Sequence, residues 1–240
     1  MPKLKVGYFL FKEILEMATY TKEKDVETVL EDDVEARNTM QKVFANTARW
    51  PAGFGGFSAD VIANINGEEQ KGTVTVKGPK DISISIEEDK VKSFLSENLA
   101  SIAMHRGPRS FEESDGKYKL VFGDDGTHPL GRKVIMGGDG MSSFYRIKEG
   151  RIQQINRQTP RFSFTINIEE SVKNQDDKFL TRKYSVFYFN PEKGLKDVES
   201  YTDEYKRVGE ADLPEIRRII NCEEGTVTVS TMTLSNHKLL

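Results

Sequence analysis

The chain is short of most residues that announce chemistry. It has one cysteine, Cys222, so neither an intramolecular disulfide nor a cysteine metal site can form, and a reducing, cytoplasmic setting fits. Its three histidines, His105, His128 and His237, stand far apart with no second histidine or cysteine at ligand spacing, which argues against zinc. No run approaches the ~20 apolar residues of a membrane span. Val6 to Phe11 imitates the core of a signal peptide but is broken by Lys12 and Glu13, and no small-residue cleavage site follows, which argues against secretion. Charge of one sign is missing too. Lysine plus arginine number 35 against 38 acidic residues. Residues 1 to 33 carry five basic and eight acidic side chains, so the rest holds 30 of each and has no global pull on nucleic acid or an anionic membrane. Gly137-Gly138-Asp139-Gly140 lacks the strand-to-helix context and lysine of a phosphate loop. Asp124-Asp125-Gly126 lacks the further ligands of a calcium loop, and no nucleophile elbow occurs. No metal and no cofactor are expected.

What is present is periodicity. From Asp89, Val91, Phe94, Leu95, Asn98, Leu99 and Ile102 recur at three-and-four spacing, so one face of a helix is apolar and needs a partner surface. Asp89 is its expected cap, and Gly107 and Pro108 stop it. An earlier helix is predicted over 33–49, with Met40, Val43, Phe44 and Thr47 on one face and Trp50-Pro51 ending it. Between the two, Phe57 to Ile65 alternates, Asn66-Gly67 signals a tight hairpin, and Thr73 to Lys77 and Ile82 to Ile86 follow. After the second helix only strands are expected: 111–122, 133–136, 142–148, 151–157, 162–168, 179–189, 198–208, 215–222 and 226–234. Leu213-Pro214 is taken as one of the separating turns. Tyr184 to Phe189 is apolar on both faces and should be central.

Helix, short meander, helix, long meander contains no parallel crossover, which excludes doubly wound and barrel enzymes. The expected fold is α+β: one long curved antiparallel sheet forming an unclosed half β-barrel, with the helices on its concave face. Residues 1–33 read as a mobile charged head and 34–240 as a single half-barrel domain.

The segment His105-Arg106-Gly107-Pro108-Arg109-Ser110-Phe111-Glu112 occurs with Phe164-Thr165-Ile166-Asn167, Glu170-Ser171, Asp203-Glu204-Tyr205, Val208-Gly209, Leu213-Pro214 and the ending Ser235 to Leu240. Together they resemble an uncharacterised family best known from cyanobacteria, catalogued as a domain of unknown function, over about 33–240. More distantly, the element order and Phe57-Ser58-Ala59-Asp60-Val61 with Gly72 to Pro79 resemble LolA-like periplasmic lipoprotein carriers, which hold acyl chains in an unclosed barrel. The chain departs from those carriers in lacking a cleavable export signal.

A soluble, nonenzymatic protein holding a hydrophobic small molecule or lipid is therefore expected, without nucleic-acid binding or stable membrane insertion. Phe94, Leu95, Ile102, Phe162, Phe164 and Ile166 are the expected lining. His105, Arg106 and Arg109 are expected at the polar mouth, where two arginines at a helix end can grip a carboxylate or phosphate. The alternatives are an enzyme using His105 with Glu112 as acid and base, and an assembly protein recognising a partner. The last would use a basic face of Arg146, Lys148, Arg151, Arg157 and Arg161 together with the acidic head, residues 1–33.

Overall fold

A computed structural model describes residues 30–138, 141–159, 162–190 and 194–240. The expected head therefore lies outside the described residues up to 29, and Arg161 lies outside them as well. Helix α1 spans Val34–Asn46, where the Asp33 carboxylate accepts from the amides of Glu35 and Ala36 at 2.8 and 3.2 Å, satisfying donors that a helix start leaves orphaned. Ala36, Met40 and Val43 form its buried face. Strands β1 (Phe57–Ile65) and β2 (Glu68–Gly78) follow. Asn66 and Gly67 both take positive φ, 52° and 95°, the two-residue turn whose twist matches the strands it joins. After β3 (Asp81–Ile84) comes α2, Asp89–Arg106. Its cap is Glu88, whose side chain accepts from the Val91 amide, and not Asp89.

The strand expected from 111 begins only at β4, Lys119–Phe122. Ser110 and Glu113 bond each other's backbone amides, the reciprocal pattern of a capping box, and this holds the segment in turns up to a short 3-10 helix at Asp115–Lys117. The remaining strands are β5 (Arg132–Gly137), β6 (Ser143–Lys148), β7 (Arg151–Gln158), β8 (Ser163–Lys173), β9 (Phe179–Asn190), β10 (Gly194–Val208), β11 (Ala211–Glu223) and β12 (Thr226–Leu239). Leu213-Pro214 is no turn. It lies inside β11 where the pairing with β10 shifts between Glu204 and Tyr205, and a bulge is one of the few sheet positions that tolerates proline.

All twelve strands join one antiparallel sheet in the order β3-β2-β1-β12-β11-β10-β9-β8-β7-β6-β5-β4. Both ends stay unpaired among the described strands, so this is an unclosed half-barrel of α+β class. β9, expected to be central, is. Cross-strand partners share a face. The row Val134, Tyr145, Ile155, Ile166, Val186, Glu199, Asn221 runs through six consecutive strand pairings, and both helices pack on the face it marks. Under α2, Val91, Phe94, Leu95, Leu99 and Ile102 meet β1, β2, β11 and β12. Under α1, Met40 and Val43 meet Leu120, Val134, Met136, Tyr145 and Ile147.

The expected basic face does not form. Arg146 pairs across strands with Gln154 and Arg157 with Phe164, which puts the two arginines on opposite faces. Arg146 is further bound to Asp124 at 2.7 Å, and Lys148 donates to the Pro129 carbonyl. A β-bulge between Arg146 and Ile147 is what breaks the alternation assumed from the sequence.

Candidate functional site

The two apolar clusters divide the helix-bearing face and leave its middle out: neither takes in a side chain of β8 or β9. The register places Phe164, Ile166, Ile168, Tyr184, Val186 and Tyr188 there, on the helix side. Phe164 and Val186 are buried; Phe162, Ile166, Ile168, Tyr184 and Tyr188 are half-buried. Phe162 stacks on Phe164 with ring centroids 6.2 Å apart, and Phe164 leans on Tyr188 at 6.3 Å. Apolar groups half-open to water between two packed cores make this strip a candidate trough.

One edge of the trough is β10, whose alternate residues Asp197, Glu199, Tyr201, Asp203 and Tyr205 carry a polar network. Asp203 takes both Nε and Nη2 of Arg217, at 2.8 and 2.7 Å, with both side chains nearly out of solvent. Arg217 also donates to Asn98 on α2. Glu199 accepts from the Tyr188 and Tyr201 hydroxyls at 2.8 Å each, and Tyr201 stacks on Tyr184 at 4.5 Å. Burial pushes the Glu199 carboxyl up, against the two phenol bonds. Glu97 of α2 is pushed to about 7, by burial first and then by Glu199. Asp197 is pushed to about 6 by burial and then Glu199, and its Oδ2 is buried with no hydrogen-bond partner.

Cationic groups gather at β7 and at the helix ends, where Arg106 reaches across to Tyr205 of β10. The C-termini of α1 and α2 converge here: the Trp50 amide donates to the Arg106 carbonyl at 2.7 Å, and Arg106 Nη1 donates back to Ala48 O. Arg49 donates to the carbonyls of Phe44 and Thr47, Arg109 to those of Met104 and His105. Arginines at these positions satisfy last-turn carbonyls and meet the negative ends of both helices. Burial and the neighbouring Arg109 nonetheless hold Arg49 down to about 10. Asp115 accepts from the Tyr145 hydroxyl, which in turn accepts from Arg157.

Of the residues expected to line a cavity, Phe162, Phe164 and Ile166 do come together on the trough floor. Phe94, Leu95 and Ile102 do not join them, being 8%, 0% and 5% exposed in the core beneath α2. Arg106 is buried against Tyr205, whose hydroxyl it contacts at 2.8 Å. His105 is exposed as a residue, yet burial of its imidazole and then Arg109, Arg106 and Arg217 hold its pKa down to about 4. Glu112 is exposed, and no hydrogen bond joins it to His105 among the described residues. Glu97, Asp197, Glu199 and Arg49 were not singled out from the sequence, and Arg157 only as part of a basic sheet face, although acids and tyrosines at every second position of β10 were a signal available to be read.

A second groove of about 440 Å³ lies near Val172, Leu180, Arg182, Glu204, Tyr205 and Arg207. Its two arginines are held by acids, Arg207 by Asp176 and Asp212, Arg182 by Glu170 and Glu204. No helix of the described residues is long and apolar enough to cross a membrane.

Among solved structures, a domain from Vibrio parahaemolyticus described as an outer membrane lipoprotein-sorting protein is similar to this chain. It shares 8% identity over 85% of this chain and 92% of its own, with a TM-score of 0.35. A likeness at that level says nothing of a ligand. A comparison with curated proteins finds no match. Residues 31–240 match the family described as a protein of unknown function, DUF3386, and the chain belongs to that family.

Proposed function

We propose that this protein is a nonenzymatic binding protein that holds a hydrophobic small molecule or lipid tail in the trough over β8 and β9. The observation that supports this reading is the row of half-buried Phe162, Ile166, Ile168 and Tyr188 around buried Phe164 and Val186, which belongs to neither helix-packed core. Leaving such surface wet forgoes about 25 cal/mol for each Å² that burial would stabilise, and an apolar ligand recovers it. A neutral imidazole with a pKa near 4 is a weak base near neutrality, so acid-base catalysis by His105 gains no support. Titration with the neutral fluorophore N-phenyl-1-naphthylamine tests the reading. One saturable site is expected, weakened at least about tenfold by Ile166→Asp, since a carboxylate in an apolar site costs more than the 1.4 kcal/mol that tenfold represents. Absence of saturable binding by the folded wild type overturns it.

A further inference from the structure

We infer that the ligand is a long-chain carboxylate, its chain along β8 and β9 and its head group seated among Arg49, Arg109 and Arg157; this rests on the reading of the trough as an apolar binding site. The first support is a charge count. Arg49, Arg106 and Arg109 influence one another electrostatically, and Asp115 is the acid that faces them. Arg157 reaches the same acid through Tyr145. None of these four arginines forms an ion pair among the described residues. Two helix C-termini contribute about half a negative charge each. Together with Asp115 they leave about two positive charges unmatched, more than enough to hold an anionic head group.

The second support is unused donors. A guanidinium offers five N–H groups in a planar fork that fits a carboxylate. Arg109 bonds protein carbonyls only through Nη1, and Arg157 uses Nη1 and Nη2. Arg49 Nε is buried with no partner, an orphaned donor of the sort native structures keep rare.

The third is placement. Arg157 is the cross-strand neighbour of Phe164, so the cationic group adjoins the apolar floor. Across the floor stand Glu97, Glu199 and Asp197. An anion is attracted to these arginines and repelled from these acids, which fixes where the head group of an amphiphile sits.

Displacement of N-phenyl-1-naphthylamine by hexadecanoate, hexadecanol and hexadecyl phosphate, the protein being full length and the salt low, tests this. Hexadecanoate is expected to bind at least about tenfold tighter than hexadecanol, the return on charge-assisted hydrogen bonds. That ratio should shrink as salt rises and fall to within about threefold in the Arg109→Met, Arg157→Met double variant. Equal affinity of acid and alcohol in the wild type overturns the anion site and leaves the apolar trough standing. A phosphate that outcompetes the carboxylate overturns the carboxylate assignment. If none of the three displaces the probe, the trough reading itself is contradicted. Should the double variant not fold, the wild-type ratio and its salt dependence decide alone.

Discussion

Asp203 and Arg217 show how much a single residue can hold at the centre of the sheet. Their paired oxygens and nitrogens lie 2.7 and 2.8 Å apart and almost out of water, so neutralising one partner strands a buried charge. Asp203→Asn is expected to cost about 3–5 kcal/mol, read as a lower urea midpoint at unchanged slope, whereas a loss below 1 kcal/mol would show the pair to be well solvated. Glu97 makes a second prediction, with the opposite charge logic. Its carboxyl sits at about 7 against an ordinary 4.5, so folding binds its proton more tightly. Its stabilising contribution is complete below 4.5 and is lost as pH rises through about 7. Asp197, at about 6 against 3.8, acts in the same sense over a lower window. Thermal melts should therefore show stability falling between about pH 5 and pH 7 by roughly 1–2 kcal/mol, less than the full shift implies because Glu97 is partly solvated. Glu97→Gln should flatten that slope; an identical slope in the variant would remove Glu97 as its source. None of these partnerships was legible in the sequence. Which acid meets which arginine depends on register between strands far apart in the chain, and periodicity carries no register.

At the scale of elements the two helices and the strand at β8 part company. Leu95 is fully buried beneath α2, and Leu95→Ala should cost about 2–5 kcal/mol. Phe164 lies outside both helix cores, so Phe164→Ala should cost less than Leu95→Ala and yet weaken probe binding more. Denaturation and titration of the two variants side by side check this, and the reverse ranking would mean that the trough floor is ordinary core. Gly131 tests the β4–β5 connection: its φ is +85°, and a Cβ there would stand 2.0 Å from the Ile147 carbonyl oxygen. Gly131→Ala should lower stability by roughly 2–4 kcal/mol in a urea melt, and no loss would mean that the turn can re-form. Most elements were readable because their signals are local: alternation in β1, Asn66-Gly67 at the hairpin, and three-and-four spacing in α2. Where the reading failed, a local signal had two uses. Pro214 marks a turn or a bulge, and pairing with β10 makes it a bulge. Phe111 to Lys117 reads as strand from the sequence, and the Ser110 and Glu113 capping bonds hold it in turns instead.

For the whole molecule, the decisive feature is the division of one sheet face between two helices with an unclaimed strip between them. That architecture was inferable from element order, because one amphipathic helix cannot satisfy so many strands unless the sheet curves and a second helix shares it. The position of the gap was not inferable, since Phe94, Leu95 and Ile102 look from sequence as suited to lining as Phe162, Phe164 and Ile166 do. The separation comes from where α2 docks, pressing its own Phe94, Leu95 and Ile102 onto β1, β2, β11 and β12, and from the register that sends Phe164 and Ile166 to the strip. The account stands on that strip being a binding surface. Native mass spectrometry of protein purified without detergent or organic solvent tests it most directly, before and after addition of N-phenyl-1-naphthylamine. The expected result is a one-to-one adduct with a small apolar molecule, either carried through purification or formed with the added probe, and absent from the Ile166→Asp variant. A spectrum showing only the bare chain under both conditions would contradict it.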